Sequence, residues 1–238
     1  MSDYTIFVKD QAQVFLGGPP LVKMATGEIV DSETLGGAEM HSTKSGLSDT
    51  LASDEFTGIL AARRWVRSIN REYPRLPRTR VLQPKYDVED LLGLVGTDIR
   101  KGRMPMGEII ARIVDASRFE VFKPLYGKNM LCCWAYIHGI HRLSGIVREI
   151  LIAGHLTGII ANAQPVIFVP EANKTTQFIK LCNASNIPII YLHNVTGFMV
   201  GAKTEAQGLI KAGAQLVNAV SNSKVVSTND GVDVRSLR

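Results

Sequence analysis

Thr5-Ile6-Phe7-Val8 and Val14-Phe15-Leu16 are short, mainly apolar stretches that read as short strands, and Gly17-Gly18-Pro19-Pro20 then punctuates the chain. Thr26-Gly27 and Leu35-Gly36-Gly37-Ala38 mark two further turns. The pattern then becomes helical: Phe56, Ile59, Leu60, Val66 and Ile69 share one face, with Ser53 as the cap and Asp54 and Glu55 in the first turn. A second helix is predicted over residues 107–116, with Ile109, Ile110, Ile113 and Val114 inward. Residues 130–137, 157–162 and 187–195 are continuous apolar runs, the form expected of strands buried on both faces. Helical spacing returns over 172–183, where Phe178, Ile179 and Cys182 lie on one side. It returns again over 204–221, where Ala206, Leu209, Ile210, Leu216, Val217 and Val220 align. Strands alternating with helices predict an α/β fold whose parallel strands are joined by crossovers. Residues 73–86, with Pro74, Pro77 and Pro84, read as a linker and the best domain boundary.

Composition narrows the class. The chain has 238 residues, 45% of them hydrophobic and 21% charged, which suits one or two compact domains rather than a disordered or fibrous chain. It has no apolar run of the roughly 18 residues that a membrane span requires. The first nine residues lack the basic and apolar regions of a signal peptide. Cys132, Cys133 and Cys182 have no metal-ligand or disulfide spacing, and read as buried small hydrophobes in a reducing, intracellular compartment. The net charge is +5, and the excess is concentrated in Arg63, Arg64, Arg67, Arg71, Arg75, Arg78, Arg80, Lys85, Arg100, Lys101 and Arg103. That cluster reads as a solvated helix face and linker, or as a field that steers an anionic ligand. It has too few interleaved aromatics to point to nucleic acid.

His41, His138, His141, His155 and His193 are scattered without metal-binding spacing, so no metal is expected. No nucleophile-elbow or phosphate-loop motif is present either. The chemistry that stands out is main-chain chemistry. Asn194-Val195-Thr196-Gly197-Phe198-Met199-Val200-Gly201 closes a buried strand and precedes a helix. Glycines there let backbone amides approach a polar or oxyanionic group, or simply make a strand-to-helix turn.

Several stretches resemble the non-biotinylated β (carboxyltransferase) subunit of biotin-dependent acyl-CoA carboxylases, most closely the methylcrotonyl-CoA and geranyl-CoA branch. They are residues 15–23, 25–28, 35–41, 44–46, 110–119, 158–162, 178–182, 186–188 and 194–201, in the family's order. The resemblance implies a crotonase-like spiral of ββα units, with the end of an N-domain over 1–72, a linker over 73–86 and the start of a C-domain over 87–226. It implies carboxyl transfer from carboxybiotin to an acyl-CoA. Biotin is carried on a partner biotin carboxylase/carrier subunit, which uses ATP and bicarbonate. Gly36, Gly37, Lys44 and Gly46 are implied at the coenzyme A site, and Gly197, Phe198 and Gly201 at the biotin site, with the Phe198 backbone as the main contact. The family forms homo-oligomers, and works in the mitochondrial matrix of eukaryotes or the cytoplasm of bacteria.

Three departures accompany the resemblance. The glycine-rich loop for the thioester oxygen is expected before residue 1. Residues 227–238 form a polar tail where the family has a buried strand and a second glycine-rich turn, and an insert stands at about 141–156. A retained intron or a gene-model error would account for the insert and the tail. The chain therefore reads as an incomplete carboxyltransferase with no complete catalytic set and little activity alone. A related decarboxylase or transcarboxylase subunit and a non-catalytic oligomerisation module are the alternatives.

Overall fold

The computed structural model describes residues 2–69, 83–94, 103–137, 155–225 and 227–228. Residues 73–82 of the expected linker, 141–154 of the expected insert and 229–238 of the tail lie outside this set, as do His138 and His141. The chain divides into two compact units, Met1–Arg67 with Lys123–Tyr126, and Ser68–Phe122 with Gly127–Arg238.

In the first unit, strand β1 (Ile6–Val8) lies parallel to β2 (Thr50–Ala52). Between them run α1 (Pro19–Thr26), α2 (Ser32–Gly36), α3 (Ala38–Met40) and one wide π turn, His41–Ser45. Helix α4 (Glu55–Ser68) follows β2. The Gly-Pro run is a helix start, because Pro19 opens α1 where a missing amide proton costs nothing. The strand expected at 14–16 does not form. Gln13 makes a lone bridge to Gly37, and the Val14 amide donates to the Gly36 carbonyl at 2.8 Å. Three apolar residues cannot sustain a ladder when their backbone is taken by a neighbouring helix end. The cap of α4 is Asp54 rather than Ser53. Asp54 Oδ1 accepts the Thr57 amide at 2.7 Å, and the Ser53 hydroxyl donates to Asp54 Oδ2 at 2.8 Å. The apolar face of α4 is largely exposed, with Phe56 at 70% and Ile59 at 61%, while Ala61 is buried. Trp65 of this helix stacks on Tyr4 with centroids 4.3 Å apart.

The second unit holds a five-stranded sheet in the order β3 (Phe119–Phe122), β4 (Met130–Ile137), β5 (His155–Asn162), β7 (Ile189–Leu192), β9 (Ser227–Thr228). A separate parallel pair joins β6 (Val166–Ile167) to β8 (Gly197–Phe198). The helices are α5 (Leu91–Leu94), α6 (Met106–Ile113), α7 (Val169–Ala184), α8 (Ala202–Ala206) and α9 (Leu209–Ser221). The expected parallel strands joined by crossovers make up part of this sheet. β3, β4 and β5 are antiparallel, and only β5, β7 and β9 run parallel through the α7 and α8–α9 crossovers. Burial on both faces gives antiparallel strands the same continuous apolar runs, so the pattern alone could not tell them apart. Ile110 and Val114 pack with Cys133, Ala135, Ile159, Ala161 and Leu192 on one face of the sheet. Phe178 of α7 meets Trp134 on the other, with centroids 4.8 Å apart. The single helix expected over 204–221 is two, α8 and α9, separated by a left-handed Gly208. The run expected over 187–195 is a strand only over Ile189–Leu192. Ser227 and Thr228 of the polar tail pair in parallel with Ile189 and Ile190.

Candidate functional site

The second unit builds its candidate site where β7 ends. Leu192 is the last residue of β7, and Thr196 and Gly197 turn back toward β6, their amides both donating to the Pro165 carbonyl, at 2.6 and 3.5 Å. Val166 then pairs with Gly197 and Ile167 with Phe198, and the Met199 amide donates to the Ile167 carbonyl at 3.0 Å. In a parallel ladder this register engages the residues on either side of Phe198 and turns the Phe198 N–H and C=O the opposite way. They stand on the outer edge of what is a two-stranded sheet among the described residues. Gly197 at φ +154° and Gly201 at φ +135° bracket the segment in conformations that side chains disfavour. A Cβ at either would meet no side chain or backbone within 4 Å other than the Thr204 hydroxyl. Backbone shape, not crowding, therefore calls for glycine at both. Phe198 is 39% exposed, and Val195, Met199 and Val200 are exposed around it.

Beneath this turn, Tyr191 and His193 stack with centroids 5.5 Å apart and planes 5° from parallel. Burial pushes the Tyr191 phenol up to about 12 and pulls the His193 imidazole below its ordinary value, so both stand neutral near pH 7. His193 is a half-buried ring stacked on Tyr191.

Gly36, Gly37, Lys44 and Gly46 fall in the first unit, away in the chain from the Gly197–Gly201 turn. Gly36 closes α2 and is buried, and a Cβ there would lie 2.1 Å from the Val14 carbonyl oxygen. At Gly37 it would lie 2.6 Å from the Glu33 carbonyl oxygen. Lys44 is exposed on the π turn. His41 fixes that turn. Its Nε2 donates to the Val14 carbonyl at 2.6 Å, and its Nδ1 lies in hydrogen-bond contact with the Ser45 hydroxyl at 2.8 Å. Gly46 ends the turn at φ +69°, facing the Tyr126 ring.

Sequence reasoning missed what holds Gly46. Lys123 and Asp49, 2% and 3% exposed, form an ion pair at 2.7 Å. Lys123 Nζ also donates to the Gly46 carbonyl at 2.5 Å, and Asp49 Oδ2 accepts the Thr5 amide at 2.6 Å. These residues are 74 positions apart and belong to no periodic pattern, so nothing in the sequence pairs them. Among the described residues no group of three or more His, Cys, Asp or Glu is placed to hold a metal, and no helix is long and apolar enough to cross a membrane.

Residues 1–227 match the family described as the carboxyl transferase domain. A probable biotin-dependent acyl-coenzyme A carboxylase beta2 subunit of Mycobacterium tuberculosis is 46% identical over 225 residues, 94% of this chain and 40% of its own. The mitochondrial methylcrotonoyl-CoA carboxylase beta chain of Dictyostelium discoideum is 42% identical, over 94% of this chain and 36% of its own. Among solved structures, transcarboxylase 12S, described as a hexamer with methylmalonyl-coenzyme A bound, matches at a TM-score of 0.76 and 29% identity, covering 94% of this chain and 41% of its own. The beta subunit of geranyl-CoA carboxylase from P. aeruginosa matches at 0.52 and 38%, covering 95% and 39%. The chain thus spans about 40% of the length of these relatives. The fold is crotonase-like, as in these neighbours.

Proposed function

The chain belongs to the carboxyl transferase domain family, and from that membership we propose that it carries part of the machinery that moves a carboxyl group from carboxybiotin to an acyl-CoA of the methylcrotonyl type. The supporting observation is the Phe198 peptide, whose N–H and C=O face outward from β8 between Gly197 and Gly201. Carboxybiotin, when bound, supplies the carboxyl group. The chain's own residues bind and orient it. The Phe198 amide donates to a ureido oxygen, and the exposed side chains of Val195, Met199 and Val200 offer apolar surface to the bound ring. A fixed donor of this kind costs no reorganisation as charge develops, and its loss typically costs on the order of a hundredfold. In the first unit, the turn closed by Gly46 and buttressed by the Lys123–Asp49 pair presents Lys44 toward solvent as a cation for a coenzyme A phosphate.

The same reading assigns biotin, and the ATP and bicarbonate that load it, to a partner biotin carboxylase/carrier subunit. It assigns oligomerisation to further copies of the carboxyltransferase chain, and gives no role to nucleic acid or membrane. It places the protein in the mitochondrial matrix if eukaryotic and in the cytoplasm if bacterial, since its relatives include mitochondrial chains and bacterial proteins. Identity to carboxylase beta chains exceeds identity to the transcarboxylase, which favours the carboxylase branch. The test is titration of the ¹⁵N-labelled chain with biotin. Resonances of Gly197, Phe198 and Met199 are expected to move together and saturably. Shifts confined to other segments, or none at millimolar biotin, overturn the assignment.

A further inference from the structure

Phe198 lies on a strand of two residues, too short to hold its own orientation. Its backbone is held on one side by β6. What seats its ring is α9: a Cβ built on Gly213 would lie 3.4 Å from ring carbons Cε1 and Cζ and 3.7 Å from Cε2. The ring therefore rests against the bare backbone of a buried helical residue. Glycine inside a helix is unfavourable relative to alanine, so its presence in the middle of a 13-residue helix needs a local reason. The contact distances give one. A single methyl group would just touch the ring, and any side chain reaching beyond Cβ would occupy the ring's place.

We propose that Gly213 is a positioning residue: by leaving room for the Phe198 ring on α9, it sets the direction of the Phe198 peptide. The functional consequence rests on the reading of that peptide as a biotin contact. The structural half stands without it. The ring is clamped against α9 while Thr196, Gly197 and Met199 are tied to β6, so the peptide between them has one orientation.

The experiment compares Gly213→Ala, Gly213→Leu, Phe198→Ala and the double variant Gly213→Leu/Phe198→Ala in the ¹⁵N-labelled 238-residue chain. Two readouts are taken: the shift and hydrogen exchange of the Phe198-position amide without ligand, and biotin affinity. In Gly213→Ala the ring stays seated and the amide resonance stays in place. Gly213→Leu moves that resonance, speeds its exchange and weakens biotin by about fivefold or more, because the leucine overfills the seat. Phe198→Ala does the same. The double variant is no weaker than Gly213→Leu alone, since both changes empty one seat of its ring. Amides of β4 and β5 keep their protection throughout, which separates a local effect from general unfolding. The inference falls if Gly213→Leu leaves the amide and the affinity unchanged. Should Gly213→Leu fail to fold, Phe198→Ala decides alone, and an unmoved amide rejects the seat. If the wild-type chain does not respond to biotin, the biotin reading fails while the ligand-free amide data still decide the role of Gly213.

Discussion

Replacing Lys123 with methionine takes away the cation around which Asp49 is buried. The two charges sit 2.7 Å apart at 2% and 3% exposure, so little solvent is available to screen whichever remains. At an effective dielectric of about 20 their gross attraction is about 6 kcal/mol, most of it offset by the desolvation of both ions. Breaking such a pair from one side costs about 3–5 kcal/mol, because the surviving charge keeps its desolvation penalty without its partner. Asp49 keeps the Thr5 amide, which limits the loss. The Gly46 carbonyl loses its lysine donor, which adds to it. The expectation for Lys123→Met is therefore a loss of about 3–5 kcal/mol in the unfolding free energy of the first unit. The diagnostic is a reversal of sign: Lys123→Met/Asp49→Asn, with one more native group removed, is more stable than Lys123→Met alone, because no charge is left buried. Urea unfolding followed by the fluorescence of Trp65, which stacks on Tyr4 in the same unit, measures both variants. A Trp134→Phe background removes the second tryptophan of the chain. A loss below about 1 kcal/mol for Lys123→Met, or a double variant less stable than the single, refutes the argument.

Three further outcomes are expected. Gly46→Ala destabilises the first unit by about 2–4 kcal/mol, because φ is +69° and the new Cβ falls 2.8 Å from the Tyr126 ring; denaturant midpoints report it. His193 is held below its ordinary value of 6.5 by burial, so below pH 6.5 the unfolded chain takes up a proton that the native chain refuses. Native stability then falls with pH from 6.5 down to the folded value, and melting curves from pH 7.5 to 5 should show His193→Gln losing that part of the decline. Burial pushes the thiol of Cys132 up to about 11 and that of Cys182 up to about 12, and Cys133 higher still; native protein at pH 8 should resist a thiol reagent that labels all three after denaturation.

Which parts of this molecule were legible depends on whether neighbours in the sequence or neighbours in space decide the outcome. Residues 130–137 form a strand because every side chain is apolar and both faces are covered, by Ile110 on one side and Phe178 on the other, so local pattern and tertiary setting agree. Helix α7 is legible for the same reason. The direction of pairing was not, because an apolar run does not record whether the next strand returns by a hairpin or by a crossover. The stripe of Phe56, Ile59 and Val66 shows the opposite failure. Its period is helical and the helix is there, yet the face is exposed, since amphipathicity fixes which side is apolar and not what covers it. At the candidate site, the Asn194–Gly201 segment was readable from its glycines. Lys123, Asp49 and Gly213 were not, because their roles arise from contacts across 74 positions in the first case and from a missing side chain in the last.

The glycines make that distinction sharper. At Gly36 and Gly37 an added Cβ would run into carbonyl oxygens at 2.1 and 2.6 Å, so packing alone requires glycine there, whatever binds nearby. Their place in a family motif is then weak support for direct contact with coenzyme A, and their part is to let α2 close against Val14. Gly197 and Gly201 are different. A Cβ at Gly197 would meet nothing within 4 Å, and one at Gly201 only the Thr204 hydroxyl at 3.9 Å, so neither is glycine for lack of room. They are glycine because the backbone on either side of Phe198 has φ of +154° and +135°, which side chains disfavour, while Gly197 and Phe198 pair with Val166 and Ile167 of β6. A turn made only to connect β7 to α8 could satisfy its backbone internally. The proposed biotin contact instead requires a peptide that faces away from β6, which the β6–β8 register gives Phe198 on a two-stranded sheet among the described residues, with its ring against the backbone of Gly213.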